Sequence, residues 1–205
     1  MSVRFLAMLA ALAAVVPAAV HAQQGHMVSV YAGYRFGGEL NDSATGDDWE
    51  MTEGAAYAVS AAIDIDRRSQ YELYLGRRSG ELALRPSSFT PAVSRIGLDI
   101  TYVQFGGTYF YEEIGRGLYL LGGVGLTNLD PREPGLDAET NFSLNVGVGY
   151  MIPLAGRVAL KLEGRAFATL IGGSSALFCS GGCVVQIQGD TFAQGEVSAG
   201  LAVRF

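Results

Sequence analysis

Apolar and polar residues alternate with a period of two in eight segments of the chain, which is typical of β-strands whose two faces meet different surroundings. The clearest segment is 142–152, where even positions hold Phe, Leu, Val, Val, Tyr and Ile and odd positions hold mostly Ser, Asn and Gly. Each segment approaches the roughly 9 to 11 residues that a tilted strand needs to cross a bilayer. The predicted strands are 27–37, 55–65, 70–78, 99–111, 118–127, 142–152, 158–168 and 191–205.

The connections between these segments alternate in length. Those after the second, fourth and sixth strands are short, at 66–69, 112–117 and 153–157. Short turns at one end and long loops at the other are characteristic of barrels in the bacterial outer membrane, as is an even number of strands. The pattern therefore predicts an all-β, eight-stranded antiparallel up-and-down barrel. The long loops are predicted at 38–54, 79–97, 128–140 and 169–190.

The polar face of the predicted strands has the features of a narrow interior. It is rich in small residues such as Gly33, Ser60 and Gly147, and its charges of opposite sign nearly balance. Buried charges have to pair, so we predict a network of ion pairs inside the barrel. Aromatic residues of the apolar face gather near strand ends, as in the girdles of membrane barrels. The predicted interior network consists of Arg35, Asp64, Glu72, Arg78, Lys161, Glu163, Arg165, Glu196 and Arg204.

These features favour a transmembrane barrel whose apolar face meets lipid. A soluble periplasmic carrier barrel, with its apolar face turned inward, is the structural alternative. One residue departs from the alternation, because Phe192 is apolar on the polar face of the last strand. We interpret Phe192 as the mark of a local β-bulge.

The first 22 residues have the pattern of a secretory signal peptide. Arg4 precedes an uncharged apolar stretch that is too short to span a bilayer, and small residues follow up to Ala22. We expect cleavage after Ala22 and a single barrel domain over 23–205. An exported chain meets an oxidising compartment, and Cys179 and Cys183 are separated only by Ser-Gly-Gly. We therefore expect a local disulfide between them.

Composition and charge exclude some classes of function. The chain has a formal net charge of −6, so a nucleic-acid partner is not expected. The only histidine after the predicted signal is His26, at the short-turn end, which argues against a His-based catalytic triad facing the outer leaflet. Two cysteines are too few ligands for a zinc site. We expect no catalytic residue, resident metal or cofactor.

Two of the predicted loops have opposite charge. The segment 38–54 carries six carboxylates and no basic residue, which fits either a solvated loop or a site for divalent cations bridging lipopolysaccharide phosphates. Around the second loop, four arginines face the single acid Glu81. Because Arg binds phosphate bidentately, three of them are candidate lipopolysaccharide contacts. These three are Arg77, Arg85 and Arg95.

Two sequence elements resemble a known group of proteins. The last strand, 197–205, ends in an aromatic carboxy-terminal residue, and the segment 31–38 reads YAGYRFGG. Together with the barrel pattern, they resemble the small eight-stranded outer-membrane proteins of Gram-negative bacteria, namely the OmpA-type barrel, OmpX and Ail. The resemblance implies that Phe205 belongs to a signal read by the barrel-assembly machinery. No peptidoglycan-binding domain of the OmpA type is evident after Phe205.

The same resemblance implies the partners and the role. The expected partners are outer-membrane lipid, lipopolysaccharide and the barrel-assembly machinery, together with an extracellular ligand that the loops do not identify. We expect a structural or interaction role at the cell surface. A narrow gated channel for ions or small solutes and a lipid-modifying outer-membrane enzyme stay open as alternatives.

Overall fold

A computed structural model describes residues 25–41, 48–84, 95–171, 175–177, 185–187 and 191–205. The regular structure of these residues consists of β-strands. No helix among them has the length and apolar character to cross a membrane. The strands are β1 His26–Gly37, β2 Glu39–Asn41, β3 Asp48–Met51, β4 Gly54–Asp64, β5 Ser69–Leu84, β6 Arg95–Phe110, β7 Gly117–Pro131, β8 Glu139–Ala155, β9 Val158–Leu170, β10 Ser175–Leu177, β11 Val185–Ile187 and β12 Thr191–Arg204.

Eight long strands close into one antiparallel barrel, as the alternation predicts. Around the barrel the order is β1, β4, β5, β6, β7, β8, β9 and β12, and β12 pairs back onto β1. The pairing of β1 with β12 runs without a shift from Met27 opposite Arg204 to Gly37 opposite Gln194. The turns after β4, β6 and β8 are short and lie at one end, which we call the short-turn end. The opposite end is the long-loop end.

The outer face of the barrel is apolar, because the pleat sends alternate side chains to opposite faces. In β8, Phe142, Leu144 and Val146 are exposed, whereas Ser143 and Asn145 are buried in the interior. On β5 and β6 the rings of Tyr71 and Phe105 stack on the outer surface with their centroids 5.8 Å apart. A barrel with an apolar exterior and a polar interior is suited to lipid surroundings.

The long-loop end contains more strand than the sequence pattern predicts. The pairing of β5 with β6 continues to Ala83 opposite Arg95, so residues 79–84 and 95–97 of the predicted loop 79–97 belong to these two strands. The segment predicted as the first long loop also forms strands, because β2 pairs with β3 and β3 pairs with β5. The physical reason is burial: Met51 and Leu82 lie opposite each other and point into the barrel, where both are almost fully buried.

The interpretation of Phe192 as a bulge was wrong. The register of β12 with β9 is continuous through this position, and the Phe192 side chain is fully buried inside the barrel. It packs beneath Gly38, which adopts a φ of +104°, and a Cβ there would lie 2.7 Å from Phe192 Cζ. Phe192 is therefore a core residue of the barrel mouth.

Several sequence predictions fall on residues outside the described ranges. They are the signal peptide with its cleavage after Ala22, the pair Cys179 and Cys183, and Arg85.

Candidate functional site

The centre of the lumen holds two cations and two carboxylates in direct contact. Lys161, Glu163 and Arg165 are alternate residues of β9 and therefore all point inward. Arg165 Nη2 lies 2.7 Å from Glu72 Oε1 on β5, and Arg165 Nε lies 2.7 Å from Glu163 Oε2. Lys161 Nζ lies 3.0 Å from Glu163 Oε1. All four residues are buried, and their formal charges cancel, so the cluster is a neutral plug.

Tyrosine hydroxyls complete this central cluster. Lys161 Nζ donates to the Tyr31 hydroxyl at 2.6 Å, and that hydroxyl donates to Glu163 Oε1 at 3.1 Å. Tyr119 donates to the same carboxylate oxygen at 2.5 Å. The Arg165 guanidinium also lies 4.1 Å from the ring centroid of Tyr74. Sequence reasoning missed these tyrosines as network members, although their positions on the inward face were visible in the alternation.

A second ion pair lies nearer the long-loop end. Arg35 and Glu196 are directly opposite each other on β1 and β12, and Arg35 Nε and Nη2 both donate to Glu196 Oε2, at 2.9 and 2.5 Å. The Tyr74 hydroxyl donates to the other carboxylate oxygen at 3.0 Å. The Arg35 guanidinium stacks over the Phe167 ring at 4.8 Å. These contacts hold the Glu196 carboxylate in place within a largely aromatic layer.

A third ion pair closes the lumen at the short-turn end. Arg204 Nη2 lies 2.6 Å from Asp64 Oδ2, and Gln70 Nε2 donates to Asp64 Oδ1 at 2.7 Å. The next residue, Phe205, donates its backbone N–H to the His26 carbonyl oxygen at 2.8 Å, and its side chain is exposed on the outer surface. The chain end is therefore tied into the barrel wall while its aromatic ring faces outward.

Arg78 has a different environment from the other cations of the predicted interior network. It is only 2% exposed, but its Nε, Nη1 and Nη2 atoms have no hydrogen-bond partner. Among the described residues, no ion pair joins it to a carboxylate. The structure thus places Arg78 inside the barrel without bringing it into contact with the network.

The mouth of the barrel above the charged layers is apolar. Met51 and Leu82 pack there together with other buried side chains, including Phe192. Sequence reasoning assigned most of these residues to loops, although the inward alternation of Ile96, Leu98 and Ile100 was a usable signal. We call this layer of buried side chains the apolar cap, and its remaining members are Trp49, Leu129 and Ile171. In the part of the chain that the structure describes, no group of three or more His, Cys, Asp or Glu residues is arranged to hold a metal ion.

Two of the three predicted lipopolysaccharide contacts lie on the outer surface near the long-loop end. Arg77 Nη2 is 2.8 Å from Asp99 Oδ2, and Arg95 Nη1 is 3.1 Å from Glu81 Oε2. Arg132, which sequence reasoning missed, lies beside them with its Nε 3.8 Å from Asp99 Oδ1. The three arginine side chains are 42%, 62% and 51% exposed, respectively. We call these three arginines the basic rim.

Comparisons with solved structures identify the same fold in outer-membrane proteins. No family model matches the chain, and no curated protein matches it. Neisserial surface protein A is similar with a TM-score of 0.54 at 16% identity, covering 89% of this chain and 99% of that one. OprG from Pseudomonas aeruginosa has a TM-score of 0.52 at 11% identity, covering 89% and 95%. AlkL, determined in lipid bilayers, has a TM-score of 0.56 at 17% identity, covering 93% and 95%.

These similarities and the closed barrel define the class of protein. The chain has the fold of the small eight-stranded outer-membrane barrels of Gram-negative type. The recognition made from the strand pattern and the last strand is confirmed at the level of the fold.

Proposed function

We propose that this protein is a structural and interaction component of the outer membrane, which holds its extracellular loops on a closed barrel and contacts lipopolysaccharide through the basic rim. The observation that carries the proposal is the packed lumen. Arg165 bridges Glu72 and Glu163 in the centre, and buried apolar side chains fill the mouth. An eight-stranded barrel has an interior just wide enough for side chains to fill, so a closed lumen is the expected resting state.

The basic rim supports the lipopolysaccharide part of the proposal. Arg77, Arg95 and Arg132 lie on the outer surface with their side chains partly exposed, beside Glu81 and Asp99. Guanidinium groups bind phosphate through two parallel hydrogen bonds, and phosphate groups are the main charge of lipid A. Arg85, which directly follows the last residue of β5 in the sequence, is proposed as a further contact.

Binding to lipopolysaccharide vesicles tests this role. We expect the refolded double variant Arg77→Gln and Arg132→Gln to bind lipopolysaccharide vesicles several-fold more weakly than wild type does. Its binding should also depend less on salt concentration. The matched control is Arg116→Gln with Arg157→Gln, because these arginines are exposed in turns at the opposite end of the barrel. Equal binding by wild type and the rim variant would contradict the proposal.

A narrow gated channel is the second candidate, and one observation favours it. The interior charges form successive layers along the lumen, from Arg204 with Asp64, through the central cluster, to Arg35 with Glu196. Rearrangement of these ion pairs would open a polar path. In planar bilayers a gated channel would show conductance that Glu163→Ala or Arg165→Ala raises. Conductance that stays at baseline in wild type and in both variants eliminates this candidate.

We further propose that export removes residues 1–22 and that Cys179 and Cys183 form a disulfide in the periplasm. Both proposals rest on the sequence pattern. The intact mass of protein purified from outer membranes measures them together. We expect a chain that begins at Gln23, and incorporation of two alkyl groups only after reduction. A retained leader or alkylation without reductant would contradict the respective proposal.

A further inference from the structure

Arg78 is a buried cation that has no hydrogen-bond or ion-pair partner among the described residues. Its side chain is inside the barrel and 2% exposed, and none of its three guanidinium nitrogens makes a hydrogen bond. The interior cations Arg35, Lys161, Arg165 and Arg204 each contact a carboxylate. An unpaired buried charge is costly, and a buried donor without an acceptor adds to that cost. Such a group is a place where an anion would bind.

A second guanidinium near Arg78 also has an unused donor. Arg35 Nη1 is buried without a hydrogen-bond partner, although Arg35 Nε and Nη2 bind Glu196. Arg35 lies near enough to Arg78 for the two charges to repel each other. The nearby Glu53 is exposed, and it accepts a hydrogen bond from the Tyr34 hydroxyl at 3.2 Å. The buried groups Arg35, Arg78 and Glu196 therefore leave one excess positive charge, and Glu53 acts on Arg78 only from its exposed position.

The wall beside Arg78 carries no side chain at Gly54. Gly54 is directly opposite Arg35 on the neighbouring strand, and its inward side carries no side chain. Among the described atoms, only Arg78 Nη2 would lie within 4 Å of a Cβ at Gly54, at 3.8 Å. The regular pairing of β4 with β5 ends at Tyr57 opposite Arg77, so Arg78 lies just beyond the last paired position. A methyl-sized group on the inward side of Gly54 would therefore contact the guanidinium without a clash.

The surroundings of Arg78 combine apolar and polar contacts. A Cβ at Gly80 would lie 2.5 Å from Met51 Cε, 3.2 Å from Arg78 Nη2 and 3.3 Å from Thr52 Oγ1, so these three atoms pack closely around the bare backbone of Gly80. Met51 and its partner Leu82 continue the apolar surface toward the mouth. The Thr52 hydroxyl accepts a hydrogen bond from Glu81 N–H and retains its own proton to donate.

We propose that Arg78 and Arg35 Nη1 form a binding site for the carboxylate of a short aliphatic monoanion at the long-loop end of the lumen. The carboxylate lies beside Gly54 and accepts both parallel hydrogen bonds of the Arg78 guanidinium. Its single negative charge neutralises the one excess positive charge, whereas a doubly charged phosphate would exceed it. The aliphatic chain packs against Met51 and Leu82. This site is separate from the basic rim, because Arg77 and Arg78 point to opposite faces of β5.

The single tryptophan of the chain gives a direct measurement. Trp49 is buried on β3, two residues from Met51, so its fluorescence responds to a ligand in the mouth. Protein refolded in non-ionic detergent is titrated with sodium hexanoate, and with sodium chloride and inorganic phosphate at equal ionic strength. We expect a saturable change with hexanoate alone, and calorimetry under the same conditions gives the dissociation constant.

Three variants assign the binding to this site. We expect Arg78→Met to weaken hexanoate binding at least tenfold, and Gly54→Val to do the same because it fills the space while both guanidinium groups remain. Arg78→Lys keeps the charge but loses the planar pair of donors, so its affinity should be intermediate. Arg157→Met is the matched control at an exposed turn and should bind as wild type does. The β-sheet circular dichroism spectrum of each variant verifies folding.

Three results would overturn the proposal. The first is the absence of a saturable response to hexanoate in wild type. The second is equal affinity in wild type and Arg78→Met, because hexanoate would then be bound by the micelle or the outer surface. The third is saturable binding of phosphate in preference to hexanoate, which would mean that the site selects multiply charged anions and not an aliphatic carboxylate.

Discussion

Arg165 on β9 and Glu72 on β5 form an ion pair across the full width of the barrel, with Nη2 and Oε1 2.7 Å apart. Four strand-to-strand steps separate β5 from β9 in either direction around the barrel. The two residues therefore lie on opposite walls, and their contact bridges the lumen. A bridge of this kind stabilises the barrel and closes it at the same time.

Loss of this bridge should be costly. Arg165→Met leaves Glu72 and Glu163 buried with Lys161 as their only cation in the central cluster. We expect the free energy of unfolding to fall by about 3 to 5 kcal/mol, because removal of one partner leaves an uncompensated buried charge. Urea unfolding in detergent micelles measures it. Adding Glu72→Gln should recover part of the loss, and strictly additive effects would contradict a direct pair.

Removal of Arg78 should stabilise the barrel, whereas removal of Arg165 should destabilise it. Arg78 contacts no carboxylate, so Arg78→Met replaces an unpaired buried cation by an apolar side chain of similar length beside Met51. We expect the free energy of unfolding to rise by about 1 to 3 kcal/mol, which is the penalty of an unsatisfied buried polar group. The same urea measurement applies. A destabilisation as large as that of Arg165→Met would show that Arg78 has a protein partner.

Phe205 should matter more for assembly than for the folded barrel. Its ring is 66% exposed on the outer face, so it makes few contacts within the protein. We expect Phe205→Ala to leave unfolding in micelles nearly unchanged while the amount of barrel in isolated outer membranes falls several-fold. Tyr57→Ala, which removes an equally exposed aromatic ring, is the matched control. Equal amounts of both variants in the membrane would argue against a signal at Phe205.

The turn after β4 should respond to pH through Asp66. Its carboxylate accepts hydrogen bonds from the backbone N–H of Arg68 and of Ser69, at 2.7 and 2.8 Å. The bond from Arg68 is the main cause that lowers the pKa of Asp66 below its ordinary value of 3.8. Because the folded pKa is the lower one, this stabilisation is present above pH 3.8 and is lost as the pH falls through the folded value.

This pKa is measured by titrating the side-chain carboxyl of Asp66 in micelles and monitoring it by NMR. We expect an Asp66 midpoint below that of an unfolded peptide with the same turn sequence. Asp66→Asn keeps an acceptor oxygen but does not titrate, so its unfolding should depend less on pH below 4. A midpoint equal to the peptide value would contradict the hydrogen-bonded turn.

Local alternation was sufficient to predict the strands, their faces and the closed barrel. The side-chain period of a strand is two, so the inward position of residues such as Lys161, Glu163 and Arg165 follows from parity alone. The alternation of short and long connections distinguished the two ends of the barrel, because the length of a connection can be counted along the chain. The sequence by itself therefore determined the fold class and which side chains enter the lumen.

Only the tertiary structure decided which of these side chains meet. The contact of Arg165 with Glu72 depends on the curvature and register of eight strands, which bring opposite walls within reach of two side chains. The same geometry buries Phe192 beneath Gly38 without a bulge. It also leaves Arg78 inside the barrel without a direct contact to a carboxylate of the described residues. The parity of a residue along its strand decides the face on which it lies. An ion pair also requires the two charged groups to be close together, and the closed barrel sets that distance.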